Sequence, residues 1–519
     1  MNLRHSSIAD LLGGLESRRF TSVDLVKTYI ARIQQVNHKV HAVSEISSEA
    51  IDVAAERDAQ RASGHILGLL HGIPLLVKDA FLTKDDLQST VGCSGLVGAM
   101  PQYEASTIQK LREHGAILLG KTSLTQWANY RSPDQPMGGW SAVGGQCVGA
   151  FHINQYPSGS SSGSAVATAL GLASASLGTE TCGSIINPSS RAGVVGLKPT
   201  PGLTSRHGVY PVCKLQDTVG VIAQNVHDAA TVLTVIAGTD PQDSGTISDH
   251  GEGDRTRRPK KSMDFRKACT KTGLQGVRIA VPRRILTSDT AKLAKFNEAL
   301  PILRGLGATI IDNAHFSEWT PPGYTDRDVE EWLLAFRLEY RENMKSFLGT
   351  YATNPNDLHT LKDVMEYTEN TPCEEYTRWR MSEWIEVEAA AGKYGKDSKE
   401  YKRSCHRRSR TAGQILELLD RYDCDLLLVS GATNTSADIA GCPAISVPMS
   451  SFPKDSPIKR TENGMVSKGP NIPFGLLFVS RRYDDFRLIS AAYAWEQATH
   501  AREFIEPVVA PDIELPTKK

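Results

Sequence analysis

Long apolar runs and an excess of either charge are missing from this sequence. No apolar run in the 519 residues approaches the ~18 residues that a membrane-spanning helix needs. The 58 basic residues balance 58 acidic ones and the pI is near 7.2, so no net charge favours nucleic acid or a membrane surface. The beginning of the chain is polar with a helical pattern, unlike a signal peptide. We therefore expect neither nucleic acid nor a membrane as a partner.

Disulfide and metal-binding patterns are also missing. The nine cysteines are odd in number and form no C-x-x-C pair, which predicts reduced thiols in a cytoplasmic protein. The 14 histidines form no cluster with metal-ligand spacing. We therefore expect no metal and no cofactor.

The sequence does contain two Gly/Ser-rich loops, joined by an apolar segment, between Pro157 and Pro188. Gly163–Ala173 has small residues and no charge, which predicts a buried helix roughly 17 Å long. Ser174–Thr179 predicts a strand, and five or six extended residues cover roughly 17–20 Å. A helix out and a strand back would bring Ser184 close to Ser160 at the helix N-terminus. Backbone N–H groups without helical partners could stabilise an oxyanion there.

A lysine ends a short apolar run upstream of these loops. Within Leu70–Phe81, the apolar residues Ile73–Val77 predict a strand that Lys78 terminates. A lysine acts as a general base only when neutral, and its ordinary pKa near 10.4 leaves about one molecule in a thousand or fewer neutral at pH 7. Burial lowers a lysine pKa by up to roughly 3–5 units. We therefore expect a buried Lys78 to deprotonate one serine, which relays the proton from the other.

Taken in order along the chain, these motifs resemble those of the amidase signature family. Ser158–Ser164 resembles that family's GGSSGGS loop, and Gly178–Pro188 resembles its GTDxGGSIRxP. Gly193–Thr200 is identical to its GVVGLKPT, and the lysine segment LHGIPLLVKD is similar to its lysine motif. Several ordered motifs are much more specific than any one of them.

The resemblance implies a role for each candidate residue. Lys78 is the base, Ser160, in a cis peptide, is the proton shuttle, and Ser184 is the nucleophile. The oxyanion is held by backbone N–H groups of the loop before the nucleophile, at Thr181, Cys182 and Gly183. The implied reaction hydrolyses a small carboxylic amide to a carboxylate and ammonia or an amine through an acyl-enzyme.

The resemblance also implies the fold. We expect one α/β/α domain over 1–519, with a large mixed β-sheet core covered by helices. Its expected parts are N-terminal helices at 1–60, the catalytic core at 65–235, an exposed loop at 240–270, a variable, partly helical substrate-side region at 275–420 and the C-terminal part of the core at 421–519. A homodimer is left open.

The chain departs from the family pattern at positions that concern the substrate. Cys182 replaces a glycine and would be strained if that position needs a positive φ. Glu180 stands where the family has Asp; Ile186 stands where many members carry Arg, and Asn187 follows. Without an Arg fork for a carboxylate, we expect a neutral substrate with an aryl or alkyl acyl group. The Trp and Tyr residues between 319 and 384 either pack helices or wall the pocket.

Other interpretations of the same residues stay open. Gly159–Gly163 fits the G-x-S-x-G elbow of α/β-hydrolases, with Ser161 central, but a polar, turn-like stretch precedes it where a strand is needed. Cys182 could act as a thiol nucleophile, although most cysteines in apolar settings are inert.

Related roles are the glutaminase component of a tRNA-dependent amidotransferase, a non-amidase acyl hydrolase or transferase, and a non-catalytic ligand-binding relative. The departures at Cys182 and Ile186 favour a fungal-type stand-alone amidase.

Overall fold

The computed structural model describes residues 1–133, 137–247, 258–259, 263–317, 326–430 and 435–518. Within these residues the strands, in chain order, are β1 Val43–Ile46, β2 Pro74–Lys78, β3 Met100–Pro101, β4 Ile117–Thr122, β5 Trp140–Ser141, β6 Gly145–Gln146, β7 Ala175–Glu180, β8 Val195–Lys198, β9 Thr218–Ala223, β10 Arg278–Val281, β11 Thr309–Asp312, β12 Tyr351–Thr353, β13 Leu426–Ser430, β14 Ala444–Ser451, β15 Lys459–Arg460, β16 Val466–Lys468 and β17 Pro473–Ser480.

Helices cover the sheet that most of these strands form. The α-helices of the described residues are α1 Ile8–Glu16, α2 Ser22–Val40, α3 Ala50–Ala62, α4 Ser106–Glu113, α5 Ser162–Ala169, α6 Ile186–Arg191, α7 Val226–Ile236, α8 Thr290–Gly305, α9 Asp326–Leu348, α10 Leu361–Asn370, α11 Ser382–Lys393, α12 Lys399–Arg421, α13 Thr435–Ile439 and α14 Asp485–Thr499. Among the described residues, no helix is long and apolar enough to cross a membrane.

One large mixed sheet organises the molecule. Over the described residues it has eleven strands, in the order β1-β4-β2-β7-β9-β8-β14-β17-β13-β10-β11. The strand β2 pairs in parallel with β4 and β7, whereas β9, β8, β14 and β17 pair antiparallel with their neighbours. The strand β13 pairs antiparallel with β17 and in parallel with β10. Every residue of β2 is buried, as expected for an apolar strand covered on both faces. The predicted α/β fold is confirmed.

The helix and strand predicted between the two Gly/Ser-rich loops are both present, as α5 and β7. The helix ends at Ala169, four residues earlier than predicted. Gly171 has a φ of +61°, and a Cβ there would lie 2.8 Å from Arg4 Cα, so the chain turns where it passes the N-terminal segment. All residues of α5 are buried, and β7 begins at Ala175 after this turn.

The N-terminal region contains the two predicted helices, α1 and α2, and also the strand β1 and the helix α3. Ser7 caps α1 and Thr21 caps α2, each with an aspartate three residues later that completes a capping box. The region 1–60 is not helical throughout, however, because β1 pairs antiparallel with β4 at the edge of the large sheet.

The prediction of an exposed loop at 240–270 is wrong for much of its described part. Thr246, Phe265 and Ala268 are buried, and Phe265 and Ala268 belong to the main hydrophobic core. The Arg258 guanidinium donates to the carbonyl oxygen of Gly245 at 2.6 Å. A few anchoring residues therefore hold a mostly polar segment against the protein, which average composition does not reveal. Residues 248–257 and 260–262 lie outside the described residues.

Candidate active site

The end of β2 places Lys78 inside the protein. Its side chain is fully buried, and Nζ donates to Ser160 Oγ at 2.8 Å and to Thr179 Oγ1 at 2.8 Å. Nζ also lies 3.1 Å from Ser161 Oγ. Thr179 is within reach because β7 runs parallel to β2, with Val77 and Leu177 in register. Two adjacent strand ends thus bring the lysine to the Gly/Ser loop.

Burial changes the chemistry of this lysine. Removal from water lowers the pKa of Lys78 from 10.5 to about 7, against the opposing effects of the Glu180 and Asp217 carboxylates. About half of the molecules therefore carry a neutral amine at pH 7. At 2.8 Å the lysine nitrogen and the Ser160 hydroxyl oxygen are close enough for either to donate to the other.

The two predicted serines meet at the start of α5. The peptide bond between Gly159 and Ser160 is cis, and Ser160 lies directly before Ser161, the N-cap of α5. The Ser161 N–H donates to the Ser184 carbonyl oxygen at 3.0 Å, which joins the two loops. Ser184 keeps 9% of its surface exposed and lines a cavity together with Ser160. The helix-out, strand-back geometry is present.

The loop before Ser184 is shaped by Glu180. One buried oxygen of the Glu180 carboxylate accepts from the N–H groups of Ile185 at 2.6 Å and Ile186 at 2.9 Å. Gly183, not Cys182, has the left-handed φ, +78°, so the condition for strain at Cys182 is not met. Within the described part of the chain, the N–H groups of Cys182 and Ser184 have no hydrogen-bond partner, which leaves them available to an oxyanion.

Cys182 is exposed, and its thiol is engaged. Cys182 Sγ donates to Asp438 Oδ2 at 3.0 Å. The surrounding protein and the Asp438 carboxylate raise the pKa of the Cys182 thiol well above its usual value. Few molecules therefore carry the thiolate that a cysteine nucleophile requires.

Thr181 is held by the buried carboxylate of Asp217, to which the sequence analysis assigned no role in the site. The Thr181 hydroxyl donates to Asp217 Oδ1 at 2.5 Å, and the N–H groups of Val212 and Cys213 donate to Asp217 Oδ2. Burial raises the pKa of Asp217 to about 6. The structure therefore adds Asp217, Thr179 and Glu180 to the predicted site. Of the three, only Thr179 could have been identified from the sequence, because its hydroxyl lies at the end of the predicted strand β7.

Two cavities meet at Ser184. The smaller has a volume of about 310 Å³ and the larger about 480 Å³. Both are lined by Ala128, Thr181, Ser184 and Val212. Ser161 lines neither cavity and is fully buried, which argues against the α/β-hydrolase interpretation.

The residue that replaces the family arginine does not face the substrate. Ile186 is fully buried in a hydrophobic cluster, whereas Asn187 lines the larger cavity. The polarity of the pocket therefore depends on Asn187 and on its other walls, not on Ile186.

The aromatic residues of the middle region divide between core and pocket. Tyr340, Trp379 and Trp384 are buried. Trp332, together with Phe336 from the same helix, α9, lines the larger cavity. Trp319 and Tyr324 lie outside the described residues.

Comparison with known proteins agrees with this fold. The family model described as Amidase matches residues 24–433. A putative amidase of Arthroderma benhamiae is 36% identical over 97% of this chain and 87% of its own length. A probable amidase of Arabidopsis thaliana is 33% identical over 97% of this chain and 91% of its own.

The solved structure of a peptide amidase from Stenotrophomonas maltophilia superposes with a TM-score of 0.82 at 31% identity, over 97% of this chain and 99% of that one. The chain therefore belongs to the amidase family. It is a hydrolase that acts on the carbon–nitrogen bonds of amides.

Proposed function

We propose that Ser184 is the nucleophile and that Ser160 and Lys78 form its proton relay. The observation that carries this proposal is the 2.8 Å contact between Ser160 Oγ and a fully buried Lys78 Nζ whose pKa is lowered to about 7. Neutral Lys78 takes the Ser160 proton, and Ser160 takes the Ser184 proton. The Ser184 oxygen then bonds to the amide carbonyl carbon.

The oxyanion and the leaving group complete the acylation step. The negative oxygen accepts hydrogen bonds from the N–H group of Cys182, in the loop Thr181–Gly183 that precedes the nucleophile, and from the N–H group of Ser184 itself. The carbon–nitrogen bond breaks as Ser160 returns the proton to the nitrogen, which leaves as ammonia or an amine. Water then attacks the acyl-enzyme through the same relay and releases the carboxylate.

Covalent labelling tests the nucleophile. After treatment with a fluorophosphonate, intact-mass measurement and peptide mapping should place one adduct on Ser184, and the Ser184→Ala variant should carry none. Ser161→Ala, which changes a buried neighbour on the same loop, is the matched control and should still label at Ser184. An adduct on Ser161 or Cys182 in the unmodified enzyme would overturn the assignment.

The enzyme is proposed to act alone on neutral amides in the cytoplasm. Every residue of the proposed relay comes from this one chain, so a monomer and a homodimer should be equally active. No lysine, arginine or histidine lines the described part of the larger cavity, and its one acidic residue, Glu383, is paired with Arg337 at 2.8 Å. Nine free cysteines support a reducing compartment, which fluorescence localisation of a tagged chain would test.

The amidotransferase role is the alternative. A glutamyl-tRNA(Gln) amidotransferase component of Alkaliphilus metalliredigens is 27% identical over 96% of this chain and 97% of its own length. That role predicts glutaminase activity that depends on partner chains. Faster release of ammonia from glutamine than from a neutral aryl amide by the isolated enzyme would favour it.

A further inference from the structure

One helix forms a wall of both cavities that meet at Ser184. The helix α9 lines the larger cavity with Trp332, Leu333 and Phe336, and it lines the smaller one with Ser346 and Phe347. Ten residues of helix, from Phe336 to Ser346, span roughly 15 Å. A helical segment of this length can pass beside the nucleophile and contact both ends of a substrate.

Tyr340 separates the two lining segments of α9. It is fully buried, its hydroxyl lies 2.8 Å from the Tyr210 hydroxyl, and it accepts from Trp384 Nε1 at 3.0 Å. Both hydrogen bonds fix this part of α9, between the segments that line the two cavities, in the protein core. The position of the two lining segments therefore does not depend on a loop.

The two cavities differ in charge. Among the described residues, the larger cavity is lined by one charged side chain, Glu383, and by aromatic and aliphatic side chains that include Tyr130, Tyr156, Trp332, Leu333 and Phe336. The smaller cavity contains both members of an ion pair, Arg206 and Asp243, joined at 2.6 Å, together with Lys214, His207 and Gln242. An apolar group in the larger cavity avoids most of these charges, and a polar group finds hydrogen-bonding partners in the smaller one.

The relay decides which end of the substrate enters which cavity. Ser160 lines the smaller cavity, with Thr179 beside it, and does not line the larger one. The proton that Ser160 returns must reach the leaving nitrogen, so the nitrogen and its substituent lie on the side of the smaller cavity. The acyl group must then extend from the Ser184 oxygen into the larger cavity, which Cys182 and Asn187 also line.

We propose that the larger cavity is an acyl chamber, that the smaller one is an amine chamber, and that preferred substrates join an apolar acyl group to a polar amine. This inference rests on the relay proposed above. It assigns Leu333 and Phe336 to selection of the acyl group and Leu215, which lines the smaller cavity, to selection of the amine.

Deacylation separates the two chambers, because the amine has already left when water attacks the acyl-enzyme. Leu333→Trp narrows the acyl chamber, and Leu215→Trp narrows the amine chamber at a side chain that is 55% exposed. Stopped-flow measurement with a 4-nitrophenyl ester of 4-phenylbutanoic acid gives the deacylation rate. We expect Leu333→Trp to change that rate by about tenfold, the effect of a misfit in an apolar pocket, and Leu215→Trp to leave it unchanged.

The role of the amine chamber is measured with amides that share one acyl group and differ in the amine. Leu215→Trp should lower kcat/KM for N-(2-hydroxyethyl)-4-phenylbutanamide at least about tenfold more than for the primary amide, and Leu333→Trp should lower both equally. The unmodified enzyme should prefer the hydroxyethyl amide to the butyl amide. Leu333→Ala and Leu215→Ala widen the chambers. The Leu333 variant should again affect deacylation and the Leu215 variant the choice of amine, so misfolding of a Trp variant would not decide the result.

The inference would be overturned if the Leu215 variants changed deacylation and the Leu333 variants did not, or if the butyl amide were the better substrate. Acylation by the ester releases a rapid burst of 4-nitrophenol, and loss of this burst in Ser184→Ala would identify the acyl-enzyme as the Ser184 adduct. If the burst is lost, either of the outcomes just named would refute only the chamber assignment. A burst that persists in Ser184→Ala would refute the proposed relay itself, and the chamber assignment with it.

Discussion

The pH dependence of turnover should report the titration of Lys78. With its pKa lowered to about 7, the neutral fraction is about nine tenths at pH 8, one half at pH 7 and one tenth at pH 6. We expect kcat/KM to be level above pH 8 and to fall about tenfold per pH unit on the acid side, because kcat/KM follows the ionisation of the free enzyme. A solvated lysine would instead keep the rate rising towards pH 10.

The carboxylate of Asp217 provides a control in which the direction of the pKa shift is predicted. Asp217 raises the pKa of Lys78, so Asp217→Asn should move the midpoint of the profile to lower pH. The pKa of Asp217 itself is about 6, so its protonation should make the fall in rate below pH 6 shallower in the unmodified enzyme and not in Asp217→Asn. A stopped-flow or continuous assay with one neutral aryl amide, from pH 5 to pH 10, measures both effects.

Removal of either relay residue completes this test. Lys78→Ala and Ser160→Ala should each lower kcat by roughly 10²–10⁴-fold, the usual worth of positioned proton transfer. The double variant should be little worse than either single one, because residues of one relay are not additive. Circular dichroism checks the fold, and Lys78→Met keeps the buried volume. A midpoint above pH 9, or full additivity in the double variant, would refute the buried neutral base.

Three further results are expected at the oxyanion loop and the substrate pocket. Cys182→Gly should keep substantial activity because its backbone N–H remains; a folded but inactive variant would show that the thiol has a role of its own. Glu180→Ala should lower kcat at least about tenfold with little change in KM, since the N–H groups of Ile185 and Ile186 lose their acceptor; an unchanged kcat would contradict that positioning role. A carboxylate on the acyl group should reduce kcat/KM at least about tenfold, equivalent to ~1.4 kcal/mol, because no cation lines the described part of the larger cavity. Equal rates for the acid and its neutral analogue would refute this preference.

The local sequence was enough to predict the elements that bring the relay together. A helix and a strand of matching length follow from the small apolar residues between the two Gly/Ser-rich loops, and both are present as α5 and β7. An apolar run predicts the strand that Lys78 ends, and the need for a neutral base predicts that this lysine is buried, as it is. Backbone periodicity is a short-range property, so the prediction of these elements needed few neighbours.

The tertiary structure alone decided what surrounds the relay. Ile186 and Asn187 are adjacent in sequence, but the turn of α6 buries the first in the core and exposes the second to the larger cavity. The buried segments near 265 and the walls contributed by α9 depend on contacts between residues more than a hundred positions apart. Their environment is set by packing between distant elements, which no local pattern in the sequence encodes.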